Sequence, residues 1–215
     1  ELNGNTNIDN YAISKQEGTL TVTNREAKYE ITVKANSATA TYDGKEHEAV
    51  GVETYEFTVE GNSYTVSGLS TEDPKQKDAG SYTNNITGTP VVTDKEGNVV
   101  TSEFEVKTEN GSLEIGKAAV TLKSATLSKK YDGNALVNGD TALEIESGFA
   151  EGEGATYNFT GSQTVVGSSA NAFSYELNGN TNIDNYEISK QEGTLTVTNR
   201  EAKYEITVKA NSATA

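Results

Sequence analysis

The chain of 215 residues has no Cys, Met or Trp, a single His (His47), and only two Pro, Pro74 and Pro90. Each absence removes a class of explanation. Without Cys there is no disulfide frame, no thiolate nucleophile and no thiolate-held metal. A lone His leaves a catalytic triad or a His-rich metal site without its partners. Hydrophobic residues make up only 33% of the chain, so small units with thin cores are predicted in place of one large globule. No apolar run approaches the ~20 residues that a membrane-spanning helix requires. Basic residues are scarce: 17 Lys and Arg stand against 32 Asp and Glu, a net charge of −15. That argues against nucleic acid, whose phosphates are held by Lys and Arg, and against anionic membrane surfaces. An acidic, polar surface keeps a protein soluble and apart from its neighbours.

What is abundant is repetition. Residues 1–40 recur at 176–215 with one change, Ala12 against Glu187, so that NGNTNIDNY is spelled at 3–11 and again at 178–186. A fainter echo lies inside this period. YDG stands at 42–44 and at 131–133, each after an alternating run, and NGSLEI (110–115) closes one unit as EGTLTV (192–197) closes the other. Internal repeats of this kind indicate a tandem array. We divide the chain into 1–24, the C-terminal part of a truncated B-type module; 28–116, module A; 117–199, module B; and 200–215, the opening strand of a further A-type module. The order A-B-A-B separates near-identical sequences, which lowers strand swapping during folding.

Apolar residues alternate with polar ones at a period of two. Tyr29/Ile31/Val33, Phe57/Val59, Tyr64/Val66, Phe104/Val106 and Leu113/Ile115 do so in module A. Val120/Leu122, Leu143/Ile145, Tyr157/Phe159, Phe173/Tyr175/Leu177, Tyr186/Ile188 and Leu195/Val197 do so in module B. This is the signature of half-buried strands. The separators EGN, DKEGN, NGD, EGEG and NGN are turn formers. An all-β fold follows, read as tandem small β-sandwich (Ig-like) modules in an extended rod, with β-grasp-like modules as the alternative. STEDPKQKD (70–78) has room for one helical turn. NGNTNIDNY is expected to form a tight hairpin-like turn between FSYEL and YEISK, and position 12/187 to lie on an outward strand face. Connections of about four residues between modules, free of Gly/Ser tracts, predict restricted bending.

KKYDGNAL (129–136), EGEGATYNFTGSQTVVGSSANAFSYEL (151–177) and NIDNYEISKQEGTLTV (182–197) together resemble the YDG-type (MBG-type) repeat modules of Gram-positive bacterial surface proteins and adhesins. Module A departs from the pattern in its middle, TPVVTDKEGNVV. The resemblance implies an extracellular, cell-surface protein anchored to the cell wall outside this segment. It also implies a non-catalytic stalk that projects a distal binding domain for cell adhesion. Two alternatives are multivalent binding of host glycan, mucin or matrix protein, and self-association through partial terminal modules.

Structural roles are expected at Tyr42, Asp43 and Gly44, and again at Tyr131, Asp132 and Gly133. In each, Tyr anchors the end of the first strand and Asp-Gly makes the turn that follows. The competing reading is an exposed Tyr-Asp contact with a sugar. DAGSY contributes Asp78, Gly80 and Tyr82, which resemble the tyrosine corner of Ig-like sandwiches, a Tyr hydroxyl bonded back to backbone.

No catalytic, cofactor or metal residues are expected. His47 lies among charges, and the acids are spread over turns and strand faces. Asn182 and Asp184 offer oxygens to calcium. DGNALVNGDTALE (132–144) and DKEGNVVTSEFE (94–105) nevertheless fail the EF-hand pattern, with Val137 and Val99 at the sixth position. Lys123 and Asn199 are candidate partners for an intramolecular cross-link.

Overall fold

The computed structural model describes residues 4, 7–23, 26–139, 143 and 145–213, with the backbone alone at 145–147. Its regular structure is β-strand, apart from three single-turn 3-10 helices at Ile8–Asn10, Thr101–Glu103 and Ile183–Asn185.

The first unit contains β1 (Tyr29–Lys34), β2 (Ala38–Thr41), β3 (His47–Glu48), β4 (Glu56–Val59) and β5 (Asn62–Thr71). It continues with β6 (Lys75–Gln76), β7 (Gly80–Asn84), β8 (Ile86–Asp94), β9 (Phe104–Glu109) and β10 (Gly111–Gly116). The second contains β11 (Ala118–Lys123), β12 (Leu127–Lys130), β13 (Leu136–Val137), β14 (Ile145–Ser147) and β15 (Ala155–Phe159). It ends with β16 (Ser162–Gln163), β17 (Gly167–Asn171), β18 (Phe173–Leu177), β19 (Tyr186–Gln191) and β20 (Gly193–Thr198).

Among the described residues, every strand pairing joins strands of the same unit. Both units open and close alike. The opening strand runs parallel to the closing one, β1 on β9 and β2 on β10, then β11 on β19 and β12 on β20. Each closing strand is flanked on its other edge by an antiparallel neighbour, β7 on β10 and β17 on β20. The remaining strands form β4-β5-β8 and β3-β6 in the first unit, and β15-β18 and β13-β16 in the second, where β14 also borders β11.

Each long strand breaks midway and changes sheet, and the two breaks touch. A Cβ on Gly111 would lie 2.2 Å from the Asn36 carbonyl oxygen, and one on Gly193 would lie 2.3 Å from that of Ala125. Only glycine permits so close an approach. A buried Asn pins each break. Asn84 donates to the carbonyls of Asn36 (3.2 Å) and Gly51 (3.4 Å) and accepts from the Asp73 amide (3.0 Å). Asn171 donates to the Ala125 carbonyl (2.9 Å) and to Asn138 Oδ1 (2.6 Å).

The apolar residues gather in two clusters. Ile31, Val33, Val66, Val92 and Phe104 fill the first unit between β1/β9 and β4-β5-β8. The second cluster crosses from one unit to the next: Tyr42, Ala49, Leu113 and Ile115 pack with Ala118, Val120, Leu122, Phe173 and Tyr186. A single residue, Lys117, separates β10 from β11, shorter than the expected four, because the strands extend further toward each other than the alternation suggested.

Two other local expectations change. Residues 70–78 hold no helical turn: Ser70 and Thr71 end β5, and Lys75–Gln76 pair as β6 with β3. NGNTNIDNY (178–186) is not a hairpin, since β18 pairs with β15 while β19 pairs with β11. It is a crossing between sheets, closed by the 3-10 turn at Ile183–Asn185.

The terminal copies behave differently from their twins. Residues 11–23 and 204–213 form no strand and are exposed. Leu20 and Val22 are 95% and 91% exposed, whereas Leu195 and Val197, at the same places in the repeat, are 0% and 1% exposed.

Candidate functional site at the junction of the two units

The two YDG sequences build the same backbone device. The Tyr42 amide donates to the Gly116 carbonyl and the Tyr131 amide to that of Thr198, both at 2.8 Å, locking the end of the opening strand to the closing one. Asp43 Oδ1 accepts from the Lys45 amide (2.9 Å), and Asp132 Oδ1 from the Asn134 amide (2.9 Å). Side-chain closure of this kind holds an Asx turn. Gly44 (φ 79°) and Gly133 (φ 87°) supply the left-handed residue. The Lys45 amide, with further help from His47, holds the Asp43 carboxyl below its ordinary value. Lys129 first and the Asn134 amide second do so for Asp132. His47 Nε2 lies 3.0 Å from Asp43 Oδ1 and so belongs to this turn.

The two turns then part ways. Tyr42 is 4% exposed, because the second unit covers it. Its hydroxyl donates to Glu153 Oε1 at 2.5 Å, and the Tyr186 hydroxyl donates to Glu153 Oε2 at 2.7 Å. The rings of Tyr42 and Tyr186 meet edge to face, 5.3 Å apart at 82°, and Phe149 closes on Tyr186 from another side at 5.1 Å. Lys77 Nζ stands 3.9 Å from Glu153, whose side chain is 7% exposed. Burial, reinforced by hydrogen bonding and charge from Glu153, pushes the Tyr42 phenol far above its ordinary value. Burial, again with a contribution from Glu153, raises Tyr186. Gly44 is pressed by the same face, since a Cβ there would lie 2.9 Å from Ala150 Cβ.

DAGSY faces this junction too. The Tyr82 hydroxyl donates to the Asp78 carbonyl (3.0 Å), the back-bonded geometry of a tyrosine corner, and its ring lies over Gly80, where a Cβ would come within 3.0 Å of the hydroxyl oxygen. The turn so held presents Asp78 and Ala79 outward. Asn185 of the second unit takes both: its Oδ1 accepts from the Ala79 amide (2.8 Å), and its Nδ2 donates to Asp78 Oδ1 (2.9 Å).

The Asn-rich phrase is therefore half of the receiving surface. The Asn178 amide donates to the Gly154 carbonyl (2.9 Å), Asn180 Nδ2 to that of Gly152 (2.7 Å), and Thr181 Oγ1 exchanges bonds with both backbone groups of Gly154. These bonds hold the loop that carries Glu153. Tyr186 takes the Ala150 amide at 3.0 Å on its hydroxyl oxygen. Asn182 Oδ1 is occupied in capping the Asp184 amide (3.1 Å).

The junction thus unites Tyr42, Gly44, Asp78, Gly80 and Tyr82 of the expected residues. Tyr131, Asp132 and Gly133 lie at the far end of the second unit. Lys123 and Asn199 are not brought together: Lys123 is level with Gln191, while Asn199 follows Thr198, which is level with Lys130. Sequence reasoning missed Glu153, Asn185 and Tyr186 as partners of the YDG turn, and missed the paired Asn84 and Asn171. Only the recurrence of Asn just before β8 and β18 could have marked the latter. Among the described residues no group of three acidic or His side chains is placed to hold a metal ion, and no helix is long and apolar enough to cross a membrane. Compared with protein-family models, curated proteins and solved structures, the chain matches none.

Proposed function

We propose that the chain is a non-catalytic structural repeat, a stalk or spacer segment of a bacterial cell-surface adhesin, whose units are small Ig-like sandwiches. The observation that carries this reading is the junction. A linker of one residue, Lys117, joins two units whose facing surfaces share a core and three side-chain hydrogen bonds, Tyr42 to Glu153 and Asn185 with Ala79 and Asp78. Domains tethered by a flexible linker over a small polar contact reorient freely. Here the hydroxyls of Tyr42 and Tyr186 converge on one nearly buried carboxylate, which resists both rotation and separation. Such a joint transmits force and keeps length, which is what a spacer requires. Tyr42, Tyr186 and Phe149 are packed together at this joint.

Scattering at small angles over a concentration series tests the reading. An elongated particle of constant dimensions supports a spacer. A particle that lengthens with concentration favours the second reading, self-association. That reading has its own observation: Leu20, Val22, Ile206 and Val208 are all more than four-fifths exposed, and exposed strand-forming edges invite pairing.

A further inference from the structure

The second unit carries, at its far end, the same face by which the first unit grips the second, and among the described residues only the segment that follows it, at Asn199, Arg200, Lys203 and Tyr204, borders it. The registers of the two units superpose residue on residue: Gly111 faces Asn84 as Gly193 faces Asn171. Position by position, Tyr42, Gly44, Asp78 and Ala79 correspond to Tyr131, Gly133, Val165 and Val166. The first four are the gripping residues of the described junction. Of the second four, Tyr131 and Val166 line an open groove of about 430 Å³, Val165 and Val166 are 67% and 47% exposed, and Gly133 has open space where Gly44 meets Ala150.

We propose that Tyr131, Gly133, Val165 and Val166 form a docking face for a second A-type unit, a copy of residues 29–116. Three observations select that occupant. The face is continuous in position and backbone geometry with a junction already formed in this chain. The residues that follow it, Tyr204 onward, repeat β1 of the A-type unit letter for letter. The third is chemical complementarity. The polar pair Asp78 and Ala79 meets Asn185, whereas Val165 and Val166 need an apolar receiver. In the A-type unit Glu103 stands at the place of Asn185. Val99, at the place of Thr181, is 69% exposed beside it. The polar and the apolar joint exclude each other's partners, because a misplaced Asp or Asn would be buried against Val unpaired. The alternation A-B-A-B is then enforced by the joints themselves.

The test uses the whole chain lengthened after Ala215 by a second copy of residues 41–116, which completes an A-type unit behind the second unit. The chain has no Cys, so spin labels can be placed without background: Glu187→Cys in the second unit with Glu105→Cys in the added one. Glu187→Cys paired with Glu105→Cys in the first unit reports the described junction. Docking gives a narrow distance distribution for the added unit, broadened several-fold by V165D combined with V166D. The same pair of substitutions should leave the melting midpoint of the unlengthened chain unchanged. A broad distribution in the lengthened parent overturns the inference, as does a narrow one that V165D/V166D leaves intact. The first-unit label pair keeps the two ideas separable: a narrow signal there beside a broad one for the added unit rejects this docking face and leaves the spacer reading standing.

Discussion

Replacing Tyr42 by Phe removes one oxygen and little else. The ring keeps its edge-to-face contact with Tyr186 and its place against Leu113 and Ile115. What is lost is a 2.5 Å hydrogen bond to a carboxylate that is 7% exposed. Hydrogen bonds to charged groups contribute about 1.5–3 kcal/mol, and a buried acceptor left short of a donor adds to the loss. Glu153 keeps the Tyr186 hydroxyl and the more distant Lys77, so we take the middle of that range, about 2 kcal/mol. For a folded region of this size that corresponds to a fall in melting midpoint of roughly 4–8 °C. The control is Tyr131→Phe at the equivalent position of the second unit, where the ring borders an open groove. It should stay within about 0.5 kcal/mol, as surface substitutions do. Urea unfolding monitored by circular dichroism, with both variants beside the parent, measures the difference. Equal effects for Tyr42→Phe and Tyr131→Phe would refute the reasoning, since only the first hydroxyl meets the covering surface of the second unit. A cycle with Glu153→Gln sharpens the result, because substitutions within one network are not additive.

The joint should also respond to alkali. The phenols of Tyr42 and Tyr186 are both raised, so the folded state holds those protons more tightly than the unfolded state. Their stabilisation is complete below the ordinary tyrosine value of about 10, and it is lost as pH rises above it toward the raised values. In a titration by tyrosinate absorbance, Tyr42→Phe and Tyr186→Phe should each remove amplitude from above the ordinary tyrosine value, and stability should fall above pH ~10. Asn84→Ala leaves the Asp73 amide and the Asn36 and Gly51 carbonyls without their buried partner. A loss of about 2–3 kcal/mol is expected, read by denaturant unfolding, whereas Asn85→Ala one residue away, on a half-buried side chain bonded to Glu72 and Asn110, should cost less. Leu195→Ala should destabilise by about 2–5 kcal/mol, and Leu20→Ala, in the same sequence context, by under about 0.5 kcal/mol; equal losses would mean that residues 11–23 are packed.

The strands were legible because alternation at a period of two needs no knowledge of the partner. Ile31 and Val33 turn inward and Glu30 and Lys34 outward wherever a partner edge exists. The turns were legible for a similar reason. Asp43 and Asp132 close on amides two residues ahead, and Gly44 and Gly133 take a backbone that glycine alone adopts without cost. Tyr82 reaches a carbonyl only four residues back. What could not be read is whatever pairs across long stretches of chain. Nothing near Tyr42 announces Glu153, and nothing in an Asn-rich phrase announces that it will cradle a neighbour's Asp78. A turn reading explained NGNTNIDNY well enough to hide its second role.

The repeated sequence divides the two kinds of information within one molecule. IDN at 8–10 and at 183–185 forms the same 3-10 turn, capped in both by the preceding Asn at 3.1 Å. That structure is decided within a few residues, so the sequence alone determines it. The residues that follow, nearly identical in the two copies, are paired strands at 186–198 and form no strand at 11–23. A strand's hydrogen bonds and its buried face are both supplied by other strands. The edges that 186–198 occupies, on β11, β12 and β17, are already filled. Sequence determined which residues were able to be strand and which way they would face. Tertiary structure decided which copy became one, because a β-strand, unlike a turn, takes its stability from what lies beside it.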